Sequence, residues 1–146
     1  MGDADDSYNF LELSLFIERL QAGYDMVMGN RFAGGITKGA MPWLHRYVGN
    51  PFLSSLGRFL FKNNIGDFHC GLRAFTKKCY NIINPQCNGM EFASELVALA
   101  SIHQMRICEI PVTLYPDGRK RRPHLRSWRD GFRHMVLLYS LYLLRN

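Results

Sequence analysis

The sequence lacks several features that define common protein classes. None of its four cysteines lies within two to four residues of another, so the spacing of a zinc site is absent. No stretch approaches the roughly 20 apolar residues that cross a bilayer, and there is no internal repeat or low-complexity segment. Because the first residues are acidic, no secretory signal peptide is expected. Scattered cysteines of this kind are typical of buried thiols in a reducing cytosol, which predicts a cytoplasmic protein.

The composition is that of a folded domain with an anionic partner. Of its 146 residues, 47% are hydrophobic and 21% are charged, which excludes a disordered tail. The net charge of +6 favours phosphate groups, anionic lipid or nucleic acid as partners. Because the chain has neither an aromatic stacking platform nor a helix-turn-helix pattern, nucleic acid is not expected among them.

The apolar pattern predicts alternating helices and strands, an α/β layout. A helix is predicted over 9–22, ended by Gly23, and a buried strand over 25–29. The helix is expected to bury one stripe: Leu11, Leu15, Phe16 and Leu20. Further elements are predicted in this order: a loop or strand over 66–75 that is rich in glycine and in residues with functional side chains, a short helix over 77–83, a helix over 91–104, a strand over 107–115 and a helix from 127 onward.

The segment 43–61 is apolar nearly all round. A helix of this kind is either deeply buried or lies against a membrane surface, and the pattern favours burial.

Asp3 and Asp5 occupy alternate positions of a short segment. In extended chain their carboxylates point the same way, and such oxygen pairs suit Mg²⁺ or Mn²⁺. A surface pair without function is the alternative.

Arg31 follows the predicted strand 25–29, and Arg46 lies in the next helix. Ligands bind at strand ends in α/β folds, and arginine grips phosphate with its planar fork. Surface salt bridges are the alternative for both residues.

The loop 66–73 combines a carboxylate, an imidazole and a guanidinium with two glycines. Glycines allow a close approach of backbone to ligand, so the loop is a candidate site containing Asp67. His69 is either a base or hydrogen-bond donor, or a structural histidine. Cys70 is a weaker candidate nucleophile because no triad is readable.

Two charge clusters mark the second half. Glu91 and Glu95 share a helix face and either help to hold a basic loop or are solvated. The basic run 119–126 fits a phosphate clamp, an anionic membrane surface or a solvated tail.

Together these motifs resemble the second half of family 2 glycosyltransferases of the polyprenyl-phosphate (dolichyl-phosphate) sugar synthase type. The resemblance spans nearly the whole chain. The motifs occur in this order: Asp3-Ala4-Asp5; Gly29-Asn30-Arg31; Met41-Pro42 with His45-Arg46; Asp67-Phe68-His69-Cys70-Gly71-Leu72-Arg73; Met90-Glu91-Phe92-Ala93-Ser94-Glu95; Glu109-Ile110-Pro111-Val112; and Trp128-Arg129-Asp130-Gly131.

The resemblance implies a GT-A (Rossmann-like) fold. It also implies an enzyme that transfers a sugar from a nucleotide-diphospho-sugar to a polyprenyl phosphate at the cytoplasmic face of a membrane, with inversion at the anomeric carbon. It implies Asp3 and Asp5 as ligands of Mg²⁺ or Mn²⁺, and Asp5 and Asp67 as catalytic residues. The implied acceptor-phosphate ligands are these arginines: Arg31, Arg46, Arg119, Arg121 and Arg122.

Family members also carry nucleotide-binding strands ahead of the Asp-x-Asp motif. The expectation is therefore a partial GT-A fold without those strands, with 1–126 as the acceptor-side half and 127–146 as an amphipathic helix at the membrane surface. An N-terminal partner chain or a homo-oligomer would complete it. The alternative is an inactive remnant that binds anionic membrane or a partner chain.

Overall fold

The structure is a computed structural model that describes residues 1–3, 5–118 and 127–145. Its elements, in chain order, are a 3₁₀ turn (Phe10–Glu12), α1 (Leu13–Gln21), β1 (Met26–Asn30), α2 (Arg31–Gly34), a π-helical turn (His45–Gly49), α3 (Asn50–Phe61), β2 (Arg73–Phe75), α4 (Lys77–Ile83), α5 (Phe92–Ile102), β3 (Ile107–Pro111) and α6 (Ser127–Leu144).

The three strands form one mixed sheet in the order β2-β1-β3. β1 runs antiparallel to β2, with Val27 opposite Ala74, and parallel to β3, with Val27 opposite Cys108. Met26, Val27 and Met28 are 0% exposed, so helices and loops cover both faces of this central strand. The expected α/β class is confirmed at this level, as a small mixed sheet between helices.

Successive β1 residues point to opposite faces and therefore into two separate cores. On one face Val27 packs with Phe16 of α1 and with Leu72. On the other face Met28 packs in the cluster that contains Leu96 of α5. α6 packs against both α3 and α5, and its contact is centred on these buried residues: Leu60, Phe61, Ala98 and Leu138.

Several element boundaries were predicted closely. α4 covers the predicted residues 77–83, α6 begins at Ser127 as expected, and Gly23 follows α1 with a left-handed φ of 91°. The predicted strand 107–115 ends early, at Pro111, although Leu114 still forms an isolated parallel bridge with Ile36.

The predicted stripe of the first helix is wrong in part. The segment opens with a 3₁₀ turn, which shifts the register, and Leu11 is 85% exposed. Phe16 is buried as expected, but its partners at the sheet are Leu13 and Leu20 rather than Leu11 and Leu15.

The favoured burial of segment 43–61 is also wrong for its outer side. Trp43, Tyr47 and Phe59 are 68%, 60% and 81% exposed. Trp43 and Tyr47 precede α3, and the π-helical turn has no buried residue; on α3, only the side opposite Phe59 meets the protein core. None of the helices within the described ranges combines the length and the apolar character needed to cross a membrane.

Candidate functional site

The centre of the site is a buried ion pair at the carboxyl end of β1. Arg31 directly follows the strand, and Asp67 lies in the loop between α3 and β2. Arg31 donates from Nε and Nη2 to the two oxygens of Asp67, both at 2.7 Å, and its backbone N–H adds a third bond at 3.1 Å. The paired residues are 8% and 0% exposed, so Asp67 fixes both the backbone and the side chain of Arg31.

The pair keeps both groups charged although water is excluded. Burial raises the pKa of Asp67, but the hydrogen bonds and charge of Arg31 outweigh that effect and hold it below its usual value. For Arg31, burial lowers the pKa and Asp67 raises it more strongly, so the guanidinium stays protonated.

Glu109 on β3 holds the loop that carries Asp67. Its two carboxylate oxygens accept from the backbone N–H groups of Gly66 and Asp67, each at 2.9 Å. A Cβ at Gly66 would lie 2.8 Å from the amide of Asn30, so glycine lets the loop pass this close to the strand end. Sequence reasoning missed the role of Glu109, although a carboxylate inside a predicted strand was a usable signal.

A hydrogen-bonded chain links the same loop to α6. His69 Nε2 lies 3.0 Å from the hydroxyl of Ser94, which lies 2.7 Å from Nδ1 of His134. The two imidazoles also meet edge to face, 4.8 Å apart. Burial, helped by the charge of His134, lowers the pKa of His69 to about 3, and burial lowers that of His134. Of the two roles that the sequence left open for His69, a base or a structural histidine, this geometry supports the structural one.

Glu91 and Glu95 are buried, so the alternative of solvated helix charge is excluded. Glu95 accepts from the backbone N–H groups of Gln86 and Cys87, at 3.0 and 2.8 Å. Glu91 forms an ion pair with Arg133 and thereby ties α5 to α6. Whether either residue holds the basic run 119–126 stays a prediction, since that run lies outside the described residues.

Asp3 lies beside the loop that contains Asp67, and Asp5 follows two residues later. Asp3 is exposed, and its carboxylate lies so close to Gly71 that a Cβ there would overlap it. Asp5 is half-buried and accepts a bond of 3.2 Å from the backbone N–H of Ser7. The described residues contain no cluster of three or more protein ligands. Two accessible carboxylates nevertheless fit Mg²⁺, which usually binds one or two carboxylates and takes its other ligands from water and phosphate.

Arg46 lies in the π-helical turn and is half-buried. Its Nη1 donates to the carbonyl of Ile36 at 3.4 Å, and its guanidinium lies 5.4 Å from the ring centre of Tyr47. The neighbouring His45 lies near enough to Arg31 for that positive charge, after burial, to lower its pKa. The turn therefore lies on the Arg31 side of the site. Three further predicted phosphate ligands, Arg119, Arg121 and Arg122, lie outside the described residues.

Replacing Asp67 with Asn tests the buried pair. The substitution leaves the Arg31 cation buried without its counter-charge, so we expect it to lower the free energy of unfolding by about 3–5 kcal/mol. Urea denaturation measures the change. Asp6→Asn is the matched control, because Asp6 is exposed and a surface change of this type shifts stability by less than about 0.5 kcal/mol. Equal effects of both substitutions would contradict the role given to the pair.

The two buried histidines predict acid sensitivity. Their lowered pKa values mean that both bind protons less readily in the folded chain than in the unfolded chain, where histidine gains a proton below about pH 6.5. The free energy of unfolding should therefore fall as the pH drops below that value. His69→Gln is expected to make this fall shallower between pH 6.5 and 5, and His103→Gln, at an exposed position, to leave the slope as it is. The stabilisation by Asp67 does not interfere, because it is lost only as the pH falls through the lowered pKa of that carboxyl. An unchanged slope in His69→Gln would contradict the prediction.

Comparison with known proteins gives the family. No protein-family profile matches the chain. It is 38% identical over 136 residues to the low-salt glycan biosynthesis hexosyltransferase Agl6 of Haloferax volcanii, covering 92% of this chain and 32% of Agl6. It is 33% identical over 112 residues to the dolichyl-phosphate hexose transferase of the same organism, covering 75% and 46% of the two chains.

A bacterial relative belongs to the same group. The polyprenol monophosphomannose synthase of Mycolicibacterium smegmatis is 30% identical over 114 residues, which cover 76% of this chain and 43% of the synthase. The chain therefore spans about a third to a half of the length of these relatives. The resemblance found in the motifs is confirmed: the chain belongs with the glycosyltransferases of the polyprenyl-phosphate type and corresponds to a part of their length.

Proposed function

We propose that this chain is the acceptor-side half of an enzyme that transfers a sugar from a nucleotide-diphospho-sugar to a polyprenyl phosphate, with inversion. One observation carries the proposal. The loop 66–72 brings Asp67, bonded to the strand-end Arg31, and Gly71, in contact with Asp3, into one short segment. The loop therefore contacts both the arginine that we assign to the acceptor phosphate and Asp3, which we assign to the metal ion together with Asp5.

The acceptor explains why the site needs no strong base. A phosphate monoester is already ionised at neutral pH, so its oxygen attacks without first losing a proton to the protein. What the reaction needs is positive charge that holds two anionic groups close together. Arg31 and Arg46 supply that charge, and we assign the same role to Arg119, Arg121 and Arg122.

Asp67 acts through Arg31 in this proposal. Both of its oxygens are used by the guanidinium and backbone of Arg31, and its own N–H is held by Glu109. Asp67 and Glu109 are therefore positioning residues, which orient the arginine without contacting substrate.

Asp3 and Asp5 would hold the metal ion. A bound Mg²⁺ or Mn²⁺ would neutralise the diphosphate that leaves with the nucleotide. The hydrogen bond from the backbone N–H of Ser7 orients the Asp5 carboxylate, and the Asp3 carboxylate contacts Gly71.

The exposed apolar residues support the part of the proposal that places the chain at a membrane surface. Trp43, Tyr47 and Phe59 are among the most exposed aromatic side chains of the described residues. Aromatic rings suit the headgroup level of a bilayer, where the phosphate of a polyprenyl lipid lies. α6 packs on α3 and adds further exposed apolar side chains: Phe132, Val136, Tyr139, Leu143 and Leu144.

The relatives favour transfer over an inactive remnant. The three named above are a hexosyltransferase, a hexose transferase and a monophosphomannose synthase. If the chain is an inactive remnant, the transfer assay described below will detect no product.

Sugar transfer tests the proposal directly. The chain is mixed with a nucleotide-sugar, polyprenyl phosphate and Mg²⁺ or Mn²⁺, alone and with a co-expressed N-terminal half from a relative, and lipid-linked sugar is counted. We expect transfer in the completed enzyme and at least a hundredfold loss in Asp3→Asn and Asp5→Asn, because the metal ligands are removed. Asp6→Asn is the control and should stay active. Absence of transfer in every combination of donor, metal and complementing half would overturn the active form of the proposal.

Liposome flotation tests the membrane surface. The chain should float with vesicles that contain anionic lipid, and replacing Trp43, Tyr47 and Phe59 together with Ser should remove most of the bound fraction, because apolar area inserted in the interface is lost. Leu11→Ser is the control, since Leu11 is 85% exposed but lies on the 3₁₀ turn before α1. Replacing Arg119, Arg121 and Arg122 with Gln should also weaken binding to anionic vesicles. Flotation that is unaffected by the triple aromatic change would assign the membrane contact elsewhere.

A further inference from the structure

Ser94 joins three elements of the fold through one hydroxyl. The serine is on α5 and is fully buried, His69 belongs to the loop 66–72, and His134 is a buried residue of α6. The Ser94 hydroxyl lies 3.0 Å from Nε2 of His69 and 2.7 Å from Nδ1 of His134, and it has no other partner among the described residues. A hydroxyl carries one hydrogen, so it donates to one of these nitrogens and accepts from the other. The three side chains therefore form a hydrogen-bond chain that has a direction.

The unpaired nitrogen of His69 indicates which direction this is. Nδ1 of His69 is buried and has no hydrogen-bond partner among the described residues, whereas neither ring nitrogen of His134 is in that position. In a neutral imidazole one nitrogen carries the hydrogen and the other accepts. A buried N–H without an acceptor is rarer in folded proteins than a buried acceptor without a donor, so the hydrogen of His69 belongs on Nε2. His69 then donates to Ser94, and Ser94 donates to Nδ1 of His134.

The backbone of His69 continues the chain to the buried ion pair. Its N–H donates to Oδ1 of Asp67 at 3.2 Å, and the same oxygen accepts from Nη2 of Arg31 at 2.7 Å. His69 is thus held at two points, by its ring at α5 and by its backbone at the ion pair. Because both bonds belong to one residue, a change at Ser94 has to cross only two residues of loop to reach Asp67.

We propose that Ser94 and His134 are positioning residues of the acceptor-phosphate site. The hydrogen-bond chain fixes the loop 66–72 against α5 and α6, and thereby fixes the direction of the Arg31 guanidinium. Neither residue contacts substrate. The link to the phosphate rests on the function proposed above, whereas the effect on Arg31 does not. The chain also makes α6, which carries exposed apolar side chains, a part of the support of the site.

The positions of the imidazole hydrogens test the direction of the chain. Two-bond ¹H–¹⁵N correlation spectra distinguish protonated from unprotonated ring nitrogens, and at about pH 8 the lowered pKa values keep both buried imidazoles neutral. We expect the hydrogen on Nε2 in His69 and on Nε2 in His134. The exposed His103 is the reference for an imidazole outside the chain. A hydrogen on Nδ1 of either buried ring would overturn the assigned direction.

Hydrogen exchange at Nε of Arg31 tests the positioning role. This N–H donates to Asp67 at 2.7 Å, so its exchange rate reports how firmly the ion pair is held. Ser94→Ala removes both bonds of the hydroxyl. We expect it to speed exchange at Arg31 at least about tenfold more than it speeds exchange of the Val27 amide, which reports opening of the central strand. Equal acceleration at both positions would show only a general loss of stability, and it would overturn the proposal, as would an unchanged Arg31 rate.

A second serine on α5 provides the matched control. The hydroxyl of Ser101 bonds to Asn63 and to the carbonyl of Val97, and not to the loop 66–72. Ser101→Ala should therefore leave the relative exchange rate of Arg31 as it is. An effect equal to that of Ser94→Ala would contradict a specific role of the chain.

Two substitutions of His134 test its place in the chain independently of Ser94. His134→Asn can present its side-chain oxygen near the position of Nδ1 and accept from Ser94, whereas His134→Leu cannot accept a hydrogen bond. We expect faster exchange at Nε of Arg31 in His134→Leu and most of the protection in His134→Asn. Equal rates in the two variants would overturn the role of His134.

Phosphate binding separates this inference from the proposed function. With a short-chain polyprenyl phosphate as the probe, we expect Ser94→Ala to weaken binding at least about threefold, because the arginine is no longer held in one direction. Equal binding by Ser94→Ala and the unchanged chain would overturn the link between the hydrogen-bond chain and the phosphate. If the unchanged chain binds no phosphate while Arg31 exchange responds as expected, the proposed function fails and the positioning of Arg31 stands.

Discussion

The site depends on one buried contact, the pairing of Arg31 with Asp67. Three hydrogen bonds join the two residues across the end of β1, and neither residue has much contact with water. An ion pair in such a place is stable only if its geometry is good and its remaining polar groups are satisfied. Glu109 meets that requirement by holding the backbone of the loop from the neighbouring strand. The strand end, the loop 66–72 and β3 consequently form one unit.

Further contacts extend this unit towards both ends of the chain. Tyr8 accepts a bond of 3.0 Å from the N–H of Gly71, which ties the segment after the two aspartates to the loop. Ser94 and the two histidines on either side of it tie the same loop to α6.

Local sequence patterns predicted most of the elements, and their limits have physical causes. The helix 77–83 has a threonine cap and a compact apolar pattern, so its ends were readable. The stripe of α1 was misplaced because a 3₁₀ turn changes the register without changing the composition. The exposure of segment 43–61 was not readable, because an apolar helix has the same pattern whether protein or lipid covers it. At the site, Asp67 and Arg31 were recognised as separate candidates. Their pairing spans 36 residues of chain, and the role of Glu109 spans 42, so neither could be derived from spacing.

Binding of the acceptor phosphate is the most direct test of the central claim. The protein is added stepwise to a short-chain polyprenyl phosphate, and the phosphorus resonance of the lipid is followed by ³¹P NMR. In a separate competition experiment, the uncharged polyprenol of the same length is added to the complex. The account predicts saturable broadening or shift of the phosphorus signal that Arg46→Gln weakens and that the uncharged polyprenol does not displace efficiently. A signal that is unchanged by the protein, or equal binding of the phosphate and the alcohol, would contradict the claim that this half of the enzyme recognises the acceptor by its phosphate.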